Sequence, residues 1–145
     1  MSPRTRWYLS GLIAGLALLG ACGQARAEDI PLIKKGRLYE IPIEINGVIT
    51  LNFVLDTGAS EVQIPVDVFL TLIRAGTIKD ADLLPRHTYT LADGSQVNSQ
   101  RVVLRSLKIG KQRITNVAAS ISDIPGSLLL GLSFLEKLGV WEFDS

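Results

Sequence analysis

The sequence predicts an all-β domain that carries one or two short helices. Three observations lead there. Apolar and polar residues alternate over several runs between Tyr39 and Ile121, the period of a half-buried strand. Asn46-Gly47 and Asp93-Gly94 each lie between such runs, and both pairs favour the positive φ angles of tight hairpin turns. Apolar residues at helical spacing occur in just two stretches, one opening near Pro65 and one near Ser133.

The first 27 residues read as an export signal rather than as part of the domain. Arg4 and Arg6 supply a positive start, and Leu9 to Leu19 form an apolar run of about 11 residues, the length of a signal-peptide core. Two processing sites compete. Ala25-Arg26-Ala27 fits a small-x-small cleavage pattern ahead of Glu28. Leu19-Gly20-Ala21-Cys22 resembles the bacterial lipobox, which would make residues 1–21 a lipoprotein signal and Cys22 the lipidated N-terminus. A third reading keeps the segment as an uncleaved anchor, so attachment to a membrane runs through Cys22 or through the apolar run itself. Each of the three puts the domain, residues 28–145, outside the cytoplasm, in the periplasm or on a membrane facing it.

The chain of 145 residues has room for one small domain, and its 47% apolar content is ordinary for a globular fold. From residue 28 onward, removing Arg4, Arg6 and Arg26 from 15 basic residues leaves 12 against 14 acidic ones, a net charge of −2. That is no footprint for nucleic acid. One cysteine, Cys22, and one histidine, His87, give neither a disulfide nor a convincing metal or Cys–His site. No phosphate-binding glycine fingerprint is present, and no cofactor or metal is expected.

Within the domain, Glu28 to Arg37 reads as a charged lead-in. Tyr39, Ile41, Ile43 and Ile45 alternate with Glu40, Pro42 and Glu44, so this is a strand whose proline marks an edge or an unpaired backbone position. Asn46-Gly47 turns the chain into a second strand, Val48 to Leu55. Val62 and Ile64 make a short third strand. Pro65 then opens a helix whose apolar stripe, Val66, Phe69, Leu70 and Ile73, is expected to face the core, and Gly76 ends it. Asp80 to Arg86 is read as irregular. Thr88 to Leu91 and Ser95 to Val97 flank the Asp93-Gly94 turn as a hairpin. Two strands, Val102 to Ile109 and Arg113 to Ile121, meet around Gly110-Lys111. After the Pro125-Gly126 turn come Leu128 to Gly131 and a short helix ending at Gly139.

The second strand delivers the most informative residues. Asp56-Thr57-Gly58-Ala59-Ser60 puts an acid at the end of an apolar strand, where an ionised carboxylate needs stabilising. Gly58 offers an N–H with no Cβ in the way, and Thr57 offers a hydroxyl. The plainer reading is a turn, since Asp, Thr and Gly all favour turns.

Phe53 to Ser60 resembles the active-site loop of retropepsin-like aspartic proteases, in a bacterial exported branch. The resemblance spans about residues 38–143 and implies a single-lobe acid-protease closed β fold. It makes Asp56 catalytic, with Thr57, Gly58 and Ala59 in support; Ala59, as in the viral enzymes, has no hydroxyl to donate to the carboxylate. It makes Ala92-Asp93-Gly94-Ser95 the tip of a flap over the substrate, without the multiple glycines of the viral flap. It makes Leu129-Leu130-Gly131 and the following helix the psi-loop element that threads beside the Asp56 loop. Trp141 to Asp144 would form a last strand. Aspartic proteolysis uses two carboxylates sharing one proton. Asp93, Asp123 and Asp144 lack the Asp-Thr-Gly context, so the implied second acid is Asp56 of another copy in a homodimer acting on a peptide or protein. A silent peptide-binding dimer, a lipid-anchored structural module and a monomer that never forms the pair are the alternatives.

Overall fold

The computed structural model describes residues 28–141. The export segment expected over residues 1–27 lies outside them, as does most of the expected last strand; Trp141, where it would start, is not in a strand. Eight strands and two helices follow one another: β1 (Ile33–Lys35), β2 (Leu38–Ile45), β3 (Ile49–Leu55), β4 (Val62–Pro65), α1 (Val66–Arg74), β5 (Leu83–Thr90), β6 (Gln96–Ile109), β7 (Gln112–Ser122), β8 (Leu129–Leu130) and α2 (Leu132–Leu138). A single 3-10 turn, Asp80–Asp82, precedes β5.

Six strands form a closed ring in the order β2, β3, β8, β4, β7, β6, with β6 returning to pair with β2 through Glu44↔Lys108 and Ile45↔Leu107. The all-β closed fold is therefore as expected. β1 is added outside β2, and β5 outside β6. The period-two pattern fills the ring: Ile41, Ile43 and Ile45 all point inward, as do Val102 and Leu104, and Val117 and Ala119. Each large apolar side chain buried here contributes roughly 1.5–3 kcal/mol. That shared interior supports hairpins that would be marginal alone.

Closure depends on one turn. Asn46 (φ 51°) and Gly47 (φ 71°) both take positive φ, as the hairpin reading requires. Asn46 then spans the seam between β2 and β6: its N–H donates to the Ser106 carbonyl at 2.8 Å, and its Oδ1 accepts the Ser106 N–H at 3.0 Å. Pro42 sits between the β1 pairing, which ends at Glu40, and the β6 pairing, which begins at Glu44. The strand is not an edge; the proline occupies the gap on that side.

Four expectations change. The lead-in contains β1. Leu83 to Arg86 is strand, not irregular. Gln96 to Ile109 is one continuous strand of 14 residues rather than two pieces. The fourth is the face of α1: Val68 and Leu72 are buried and Phe69 is half-buried, while Val66, Leu70 and Ile73 are about 40% exposed. Apolar residues surround most of α1, so their spacing left its rotation open, and packing beneath the buried Ile64-Pro65 end of β4 set it.

Asn46→Ala removes the side-chain acceptor and forces alanine into positive φ, so stability should fall by about 2 kcal/mol. Asn46→Gly restores the backbone freedom alone and should recover part of that loss. Urea unfolding of wild type and the two variants checks the order; an Asn46→Gly midpoint equal to that of wild type would mean the seam hydrogen bond contributes nothing.

Candidate active site

Asp56 stands just beyond the end of β3, and its position is set from across the ring. β8 runs parallel to the last residues of β3, with Val54 opposite Leu129 and Leu55 opposite Leu130. The Val54 N–H donates to the Leu128 carbonyl at 2.9 Å, and the Asp56 N–H to the Leu130 carbonyl at 3.2 Å. The chain then passes Gly131 and enters α2, where the Leu132 N–H donates to the Ala59 carbonyl at 2.9 Å and the Ser133 N–H to the Ser60 carbonyl at 3.0 Å. Gly131 is buried in this crossing. A Cβ there would lie 2.7 Å from the Ala59 carbonyl oxygen and well inside contact with the Glu61 carbonyl, so only glycine fits. Ser133 completes the clamp: its Oγ accepts the Val62 N–H at 2.9 Å and donates to the Ala118 carbonyl at 2.8 Å.

The Asp56 side chain is turned back onto its own loop. Oδ1 accepts the Gly58 N–H at 2.9 Å, and a Cβ on Gly58 would sit 3.2 Å from that oxygen, tighter than ordinary contact. Asp56 and Ala59 are half-buried; Thr57 and Gly58 are exposed. Among the described residues, the Gly58 amide is the one hydrogen-bond partner of the carboxylate. The loop thus carries a fixed acid at the surface of the domain.

Beside it, among the described residues, lies an apolar groove lined by Arg37, Leu38, Tyr39, Leu55 and Trp141. Leu38 is 53% exposed and Trp141 41%.

β5 and β6 form the expected hairpin around Asp93-Gly94. Its tip is held by Leu91 N–H to the Ser95 carbonyl at 2.8 Å, by Gly94 N–H to the Leu91 carbonyl at 2.9 Å, and by Asp93 Oδ1, which accepts both the N–H and the O–H of Ser95. Gly94 takes φ 82°, which disfavours any other residue. Ala92, Asp93, Gly94 and Ser95 are all exposed. No hydrogen bond among the described residues joins this tip to the Asp56 loop, so the structure brings together Asp56 to Ala59 and Leu129 to Gly131, and leaves the tip apart from them.

The link between this hairpin and the Asp56 loop runs through residues that the sequence reading passed over. Glu61, next to the loop, accepts two hydrogen bonds from Arg101 on β6, from Nε and from Nη2, and one at 2.6 Å from the Tyr89 hydroxyl on β5. Burial pushes the Glu61 carboxyl up, but the bonds from Arg101 and Tyr89 outweigh it and leave the carboxyl below the usual glutamate range. Burial and the neighbouring Glu61 push the Tyr89 phenol well above the usual tyrosine range. Glu61 likewise raises Arg101. The one available signal was weak: Arg101 stands where β6 turns from polar residues to the buried Val102.

A carboxyl lowered by folding stabilises the fold fully above its unfolded pKa, and that contribution fades as pH falls through the folded value. Wild type should therefore exceed Glu61→Gln in thermal midpoint at pH 6–7, and the difference should shrink below about pH 4.3. Midpoints across that range check it; a constant gap down to pH 3 would assign the effect to shape rather than charge.

Comparisons with known proteins agree with this geometry. An aspartyl protease family model matches residues 41–134, more than half of the chain. The structure is similar to a retropepsin-like aspartic protease from Rickettsia conorii, 22% identical, covering 81% of this chain and 95% of that one, with a TM-score of 0.56. It is also similar to the EIAV protease complexed with the inhibitor HBY-793, 21% identical over 82% of this chain and 97% of that one, with a TM-score of 0.51. Nothing among the curated proteins matches the chain. At these identities the two solved structures establish the fold, and the family model, running from within β2 to within α2, establishes the rest: this chain belongs to the aspartyl protease family and has the retropepsin-like fold.

Proposed function

We propose that this protein is an aspartic endopeptidase in which Asp56 from each of two copies forms the catalytic pair. The observation that carries the reading is the Asp56 carboxylate, held by the Gly58 amide on a loop pinned to β8, exposed at Thr57-Gly58 and without a second acid bonded to it. The apolar groove beside Leu55 supports a second copy at that surface, since Leu38 and Trp141 would otherwise remain in water. The two similar structures, both of proteases and one with an inhibitor bound, support it further.

Two carboxylates so close cannot both ionise, so the pair holds one proton. The ionised member takes a proton from water as its oxygen attacks the scissile carbonyl carbon. The protonated member donates to the carbonyl oxygen. In the tetrahedral intermediate a carboxyl proton passes to the amide nitrogen, and the C–N bond breaks with return of the shared proton. Thr57 and Gly58 brace the pair, and an extended peptide lies beneath the Ala92–Ser95 tips as an added strand. The domain works outside the cytoplasm, in the periplasm or anchored to a membrane that faces it.

Asp56→Asn should remove peptide hydrolysis by at least about 10³-fold with an unchanged thermal midpoint. A peptide-library cleavage assay on both proteins checks this, and a statine-type peptide should inhibit the wild type. Cleavage by pure Asp56→Asn at the wild-type rate would sink the assignment; tight peptide binding with no cleavage by wild type would favour a silent binding dimer.

Intact-mass spectrometry of the mature protein tests the export reading. A lipid adduct starting at Cys22, lost in Cys22→Ser, is the expected result. A chain beginning at Glu28 would place processing at Ala27 instead.

A further inference from the structure

The distal flap is a ribbon with little beneath it. β6 pairs with β7 only from Arg101 onward, where Arg101 lies opposite Ser120. Beyond that point β5 and β6 have only each other, and almost every residue from Pro85 to Asn98 is exposed. An isolated two-stranded hairpin is marginally stable in water. The side-chain bonds of Arg86 to Asn98, of Asn98 to Thr88 and of Gln100 to Leu84 all stay within the ribbon. Among the described residues, one hydrogen bond joins the ribbon beyond Arg101 to the rest of the domain: Tyr89 Oη to Glu61 Oε2 at 2.6 Å.

The receiving end of that bond does not move freely. The Glu61 carbonyl is wedged against Gly131, and the next residue, Val62, is fully buried with its N–H on Ser133. Arg101 grips the carboxylate through Nε and Nη2, so its free position faces Tyr89 in a defined direction. Tyr89 pairs with Val97, and the turn begins two residues later at Leu91. The tip therefore projects only about 13 Å past the attachment, at roughly 3.3 Å per residue.

We propose that Glu61 and Tyr89 are positioning residues that set the height of the flap tip above Asp56, and so the width of the channel for an extended peptide. Glu61 follows the Asp56 loop directly, so one rigid segment carries both the acid and the flap's support. This inference rests on the protease reading, because a channel width matters only if a peptide lies between tip and acid. Arg101 serves the pair by holding the carboxylate charged and aimed.

The test uses Tyr89→Phe in the full chain, which removes one oxygen and keeps the ring packed on His87. Amide hydrogen exchange of residues 88–97 should rise about tenfold, the value of one hydrogen bond to a charged group, while amides of β3 and β7 stay unchanged. For peptide cleavage, KM should rise about tenfold with kcat within about twofold. Glu61→Asp, which keeps the charge but draws it back by one methylene, should show the same split, and Glu61→Asp with a wild-type Tyr89 should not affect β3 exchange. Unchanged exchange in the ribbon overturns the proposal. Raised ribbon exchange with wild-type KM and kcat overturns it as well, since the bond would then hold the flap without setting the channel. A wild-type protein that cleaves nothing refutes the protease reading instead, whatever the ribbon does.

Discussion

The close crossing of two backbones at Gly131 governs the rest of this structure. Strand pairing between the ends of β3 and β8 brings residues 75 positions apart into register, Val54 with Leu129 and Leu55 with Leu130, but pairing alone would leave the acid loop free to splay. The missing Cβ at residue 131 lets α2 begin directly against the Ala59 and Glu61 carbonyls. Two N–H groups of the first turn of α2, which an isolated helix leaves unsatisfied, are thereby spent on the loop. One contact thus satisfies the start of a helix and immobilises the acid. The loop cannot relax without exposing helix amides, and the helix cannot shift without unseating Phe134 from the core.

The same economy separates a rigid body from a less supported arm. The ring is closed by β2–β6 pairing and filled by side chains from every strand in it. The β5–β6 hairpin leaves that ring at Arg101 and is exposed over most of its length. Local stability falls where buried apolar contacts become few. The boundary between the two regimes is marked by a charged cluster rather than by a loop or a glycine.

Much of this was legible in the sequence, and the reasons are local. Asn46-Gly47 and Asp93-Gly94 specify turns through the φ angles of two residues each, and the strands beside them alternate because one face meets the interior. The Asp56 loop and the Leu129–Gly131 segment could be paired through family resemblance, though nothing local says they touch. The face of α1 was misjudged because Val66, Val68, Phe69, Leu70, Leu72 and Ile73 surround the helix, so a period without a clean polar side has no phase. The Glu61–Arg101–Tyr89 cluster was missed for a different reason. Its members lie 28 and 40 residues apart, and each alone looks like an ordinary surface residue on a strand or loop.

Ring closure also bears on edge-to-edge association of the sheet. Any open sheet edge offers unpaired N–H and C=O groups that another copy of the chain can meet. Among the described residues, β1 and β5 are the terminal strands of the sheet order. β1 is three residues long and ends in Lys34-Lys35. β5 carries Pro85 and Arg86, and its register with β6 breaks between Leu84 and His87. Short length, charge, proline and a bulge each discourage edge-to-edge pairing. The proline and the register break at the root of this hairpin thus discourage pairing along its outer strand.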